Sequence, residues 1–109
     1  MATTYKVLGQ VNPAATTATT AYTVPSATQA VVSTISICNQ AATAATYRIA
    51  VRVAGSALSA EEYIVYGATV PASDSTFITV GMTLNATDVV TVYASSATLS
   101  FNLFGSEIA

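Results

Sequence analysis

Residues 29–39 read QAVVSTISICN, and the fold is decided here. Side chains alternate with a period of two, the pattern of a half-buried strand. Val31, Ser33, Ile35 and Ile37 fall on one face; Val32, Thr34, Ser36 and Cys38 fall on the other. The first set is heavier and is expected in the core. Downstream, Asn39 to Thr43 is turn-forming, and Thr46 to Ala54 repeats the alternation. There Tyr47, Ile49, Val51 and Val53 point inward, while Arg48, Ala50 and Arg52 share the outer face.

The same reading extends in both directions. Tyr5 to Val11 is a first strand, ended by Asn12-Pro13. Ala14 to Thr20 is an Ala/Thr run that reads as an exposed loop or arm, since it lacks the apolar stripe of a helix. Ala21 to Val24 is a short strand closed by Pro25. Ala57 to Glu62 fits a short helical turn. Tyr63 to Tyr66, Thr76 to Val80, Val89 to Ala94 and Leu99 to Phe104 are further strands, the last with Leu99, Phe101 and Leu103 on one face. Gly81 marks a bulge. Seven to eight short strands at even spacing, with no long amphipathic helix to cover a sheet, predict an all-β antiparallel sandwich, immunoglobulin-like or jelly-roll. Residues 1–109 form one domain, at the common size for one core.

Composition narrows the function. Of 109 residues only 7% are charged, the net charge is −2 and there is no histidine; an ordinary domain is about a quarter charged. High apolar content excludes disorder. No unbroken apolar run reaches the length of a spanning helix, so no membrane insertion is expected. The N-terminal MATTYKVLGQ lacks a signal-peptide pattern. Three basic residues leave no footprint for nucleic acid. So few charges suit a surface packed against copies of itself or a scaffold.

Catalysis has no obvious source. Without histidine there is no Ser-His or Cys-His pair, and Cys38 is expected as a buried small hydrophobe. Glu61 and Glu62 are adjacent, so in a strand they face opposite ways. Asp74 and Asp88 suit turns. No phosphate loop or metal-ligand spacing is present, and neither cofactor nor metal is expected. The expectation is a non-enzyme. Interface candidates are Arg48 and Arg52, which either bridge to a neighbouring subunit or pair with Glu61 or Glu62. Tyr5, Tyr22 and Tyr66, near strand ends, and Phe104 complete the set. Tyr47, Tyr63 and Tyr93 are expected in the core or at its edge.

The segments Tyr5-Lys6-Val7-Leu8-Gly9-Gln10, Tyr22-Thr23-Val24-Pro25, Val32 to Asn39, Leu84 to Val92 with Asp88 before its strand, and Phe101-Asn102-Leu103-Phe104-Gly105-Ser106-Glu107 together resemble small virion structural proteins of tailed bacteriophages. The resemblance is greatest to the Ala/Thr-rich ones from phages of marine bacteria and cyanobacteria. It covers nearly the full length and is one of pattern, with no catalytic motif. It implies a capsid decoration (cement) protein made in the host cytoplasm and carried on the virion. Such a protein would be homo-oligomeric, with the major capsid protein and copies of itself as partners. A neck, tail or fibre component, binding host-surface carbohydrate, is the alternative. The arm at 14–20 and the terminal segment Gly105 to Ala109 are expected to order on contact.

Overall fold

The computed structural model describes residues 2–109. Eight strands form: β1 (Thr3–Val11), β2 (Thr19–Thr23), β3 (Gln29–Asn39), β4 (Ala45–Arg52), β5 (Tyr63–Val70), β6 (Ser75–Leu84), β7 (Val89–Ala94) and β8 (Leu99–Ile108). Two 3₁₀ turns, Val53–Gly55 and Ala60–Glu62, lie between β4 and β5. The strands make two four-stranded antiparallel sheets, ordered β1-β8-β3-β6 and β2-β7-β4-β5. Within them β1 pairs with β8, β2 with β7, β3 with β6 and β4 with β5. The chain is therefore one long hairpin rolled upon itself, and of the two sandwich topologies expected it is the jelly roll.

The core lies between the sheets. Val32, Ile35 and Ile37 of β3 meet Ile49 of β4, Val90 and Val92 of β7, and Leu99, Phe101 and Leu103 of β8, all fully buried. Tyr47 packs edge-on against Phe101, with ring centroids 6.2 Å apart. At the rim Asn39, itself buried, holds the loops together. Its Nδ2 donates to the carbonyls of Thr43 (2.9 Å), Pro71 (3.2 Å) and Val70 (3.3 Å), while its Oδ1 accepts from the Ala41 amide and the Thr98 hydroxyl.

Bulges correct several sequence expectations. Against β8 the extra residue of β3 is Ser33, while against β6 the same Ser33 stands opposite two residues, Val80 and Gly81; its hydroxyl donates to the Phe104 carbonyl at 3.0 Å. Alternation flips there, so Val32 is core and Val31 faces out. Val53 leaves the strand for a 3₁₀ turn and is exposed. Cys38 is half-buried on an outer face, not enclosed. The Ala/Thr segment is shorter than expected, because Thr19 and Thr20 belong to β2, and the Thr16 amide bonds to the Ala94 carbonyl at 2.8 Å. Gly105 to Ile108 is not a tail awaiting a partner. It is the end of β8, paired with β1 and β3, and Ala109 exchanges two backbone hydrogen bonds with Ala2.

Candidate functional site

The outer faces of the two sheets differ in chemistry. On the β2-β7-β4-β5 sheet, Arg48 of β4 lies opposite Tyr93 of β7 and Tyr66 of β5. Its guanidinium sits 4.2 Å from the Tyr66 ring centroid and 4.3 Å from that of Tyr93. Flanking rings hold the cation by their quadrupoles and fix its rotamer. Tyr63 joins the group, edge-on to Tyr66 at 4.9 Å. Residues three apart in a regular strand face opposite ways. Ile64 is the extra residue where β5 shifts against β4, so Tyr63 and Tyr66 emerge on one face. A concavity of about 530 Å³ opens beside them, lined by Leu58, Ser59, Ala60, Tyr63 and Tyr66.

The Ala60–Glu62 turn that walls this concavity is held by its own acids. Glu62 accepts from the Ser56 hydroxyl (2.6 Å) and the Ser59 amide (3.0 Å), and Glu61 accepts from the Ser59 hydroxyl (2.8 Å). A bond from its own backbone amide, and then the one from the Ser59 hydroxyl, hold the Glu61 carboxyl below its ordinary value. Neither acid pairs with an arginine. Arg52 instead donates to the carbonyls of Ser56 (2.7 Å) and Gly55 (3.0 Å). Asp88 ties the same region down, accepting from the amides of Ala54 and Asn85.

The outer face of the other sheet carries no charge. Its rows run Tyr5–Ser106–Val31–Thr83, Val7–Phe104–Thr34–Thr79 and Gln10–Asn102–Ser36–Phe77. Tyr5 is 84% exposed, Phe77 70%, Val7 45% and Phe104 39%. The two charged residues of these strands, Lys6 and Glu107, project from the opposite face and pair at 3.1 Å. Among the described residues this is the one ion pair. Tyr22, expected at the surface, is buried and donates to Glu107 at 2.5 Å. That bond, aided by Lys6, holds the Glu107 carboxyl below the ordinary range against its partial burial. Burial, then the bond to Glu107 and its charge, push the Tyr22 phenol far above its usual value.

Six interface candidates thus separate. Tyr5 and Phe104 share the uncharged face, Arg48 and Tyr66 share the aromatic cluster, Arg52 braces a turn and Tyr22 is internal. Tyr63 and Tyr93, expected in or beside the core, are half-exposed members of the cluster. Among the described residues no group of acids, cysteines and histidines could hold a metal. No protein-family model matches the chain, and no curated protein matches it.

Proposed function

We propose that this protein is a virion component that decorates a phage capsid, docking through the outer face of the β1-β8-β3-β6 sheet. The supporting observation is that face itself. Tyr5, Val7, Phe77 and Phe104 stand exposed on it with no charge among them. Tyr5, Val7 and Phe104 are neighbours on β1 and β8, with Phe77 apart on β6; exposed apolar surface marks interaction sites, and aromatic anchors without charge are the composition of interface centres. The jelly roll, an architecture common in capsid proteins, and the resemblance to tailed-phage virion proteins agree with this reading. Each copy would bridge neighbouring capsid subunits and add contacts that resist internal pressure.

Copy number tests it. Quantitative mass spectrometry of purified virions should find the chain equimolar with the major capsid protein or at a simple fraction of it. A few copies per particle would overturn head decoration in favour of neck, tail or fibres. Tyr5→Lys combined with Phe104→Lys should abolish retention on particles without unfolding the domain, since both side chains are exposed.

A second reading rests on the opposite face. Tyr63 and Tyr66 border the concavity with the Ser59 side chain beside them, an arrangement of aromatic wall and polar handle that suits a sugar. A tail or fibre module binding host polysaccharide would use it, and Tyr66→Ala would then lower glycan binding while leaving particle retention intact.

A further inference from the structure

The sandwich has four strand edges, and three are protected against pairing with another chain. Protection of this kind comes from short strands, bulges, charges or covering segments. The β1 edge carries Lys6 and is bulged at Leu8, where its pairing with β8 shifts. It is also approached so closely by β2 that a Cβ on Gly9 would collide with the Ala21 carbonyl. The β2 edge is five residues long and bulged at Ala21. The β5 edge is bulged twice, at Ile64 and at Gly67, which has φ +85°.

The fourth edge, β6, is different. Residues 75–84 read STFITVGMTL, with no charge and no proline. The strand pairs with β3 on one side only. Its register is broken at Val80 and Gly81, between Thr79 and Met82. That leaves Ser75 to Thr79 as an uncharged run in unbroken register, open along its outer side except at the Ser75 amide, which donates to the Asp74 carboxylate at 2.8 Å, and Phe77 is its middle residue.

We infer that β6 pairs antiparallel with β6 of a second copy of this chain, across a twofold axis at Phe77. The symmetry follows from identity. A strand paired antiparallel with itself is isologous, with Ser75 opposite Thr79 and Phe77 opposite Phe77 of the other copy. The register follows from the bulge, since only this centre keeps the whole run paired. Charge permits it: the nearest ionised group, Asp74, would lie about 20 Å along the strand from its counterpart. The two phenylalanines would meet as a cross-strand aromatic pair, and the two uncharged sheet faces would become one continuous surface. A five-residue pairing is small against the area of a stable interface, so the dimer is a weak one that forms as concentration rises. This inference does not depend on capsid docking.

The test uses the isolated full chain. Sedimentation equilibrium should show the mass rising from 11.1 kDa toward twice that through the micromolar range, and Phe77→Lys should weaken association at least tenfold. Ile64→Lys, on the β5 edge, should not. In a Cys38→Ser background, single cysteines placed at positions 75 to 79 should oxidise to a disulfide dimer most readily at 77, with the yield falling on both sides. Both paired geometries place opposed Cα atoms within disulfide reach. A monomer at millimolar concentration would overturn the inference. So would a dimer unaffected by Phe77→Lys, or a cross-linking yield that is flat across the run or greatest away from 77.

Discussion

Asn39 shows how much one side chain can do at the rim of a sandwich. One amide satisfies three carbonyls and accepts two donors, joining the β3–β4, β5–β6 and β7–β8 loops. Asn39→Asp keeps the shape but removes the donors and turns a carboxylate toward the carbonyls. Loss of about 3 kcal/mol is expected from unsatisfied buried groups, measurable as a lower urea midpoint at neutral pH. Thr91 is the opposite case, for its Oγ1 is buried without a partner. Thr91→Val removes that unmet group and should stabilise by about 1 kcal/mol. Glu107 links stability to pH. Its folded pKa is depressed, so its contribution is complete above the ordinary glutamate value of about 4.3. That contribution is lost as pH falls through the lower folded value. Glu107→Gln should therefore flatten the acid limb of a stability–pH profile. If the slope below pH about 4 is unchanged, the Tyr22–Glu107–Lys6 group is not its source.

At the scale of elements, bulges do most of the positioning. The one at Ser33 restores Val32 to the core, and the one at Ile64 builds the tyrosine cluster. Gly105 of β8 illustrates the tolerance this requires. A Cβ there would collide with the Val31 carbonyl and press on Leu8, because the strands close up beside the Ser33 bulge. Gly105→Ala should cost about 1–3 kcal/mol through overpacking, seen as a lower thermal midpoint. The period-two pattern located every strand in the sequence, yet in β3 it placed Val31 and Ser33 inward with Ile35 and Ile37, on the wrong side of the Ser33 bulge. An inserted residue inverts alternation while leaving composition unchanged. Tyr63 and Tyr66 carried one visible sign: two aromatics three apart in a strand can share a face only if a residue bulges between them.

For the molecule as a whole, the pairing of β1 with β8 brings the ends of the chain together. Ala2 and Ala109 exchange backbone hydrogen bonds at 2.7 and 3.0 Å. A chain joined by a short linker at these ends and reopened between Ala57 and Leu58, both exposed, should fold to the same jelly roll. Deleting residues 105–109 should instead unfold it, since β8 is the central partner of β1 and β3. Circular dichroism melts distinguish the two variants. Nearly all pairing is non-local, so refolding is expected on the millisecond-to-second scale of sandwiches rather than the microseconds of helical bundles.

Alternation, turn residues and the absence of a helix long enough to cover a sheet were sufficient, in the sequence alone, to determine an antiparallel sandwich of seven to eight strands with Ile35, Ile37, Tyr47, Ile49, Phe101 and Leu103 inward. These are local properties, and the physics behind them acts within a few residues. Only the tertiary structure decided that the sandwich is a jelly roll, because strand order depends on which distant segments meet. It also decided that Tyr22 is internal and Tyr93 external, that Arg48 sits among rings and not carboxylates, and that β6 alone among the edge strands keeps a five-residue uncharged run without a bulge. Each of these depends on bulges and on cross-sheet contacts between residues far apart in the chain, which no local periodicity encodes.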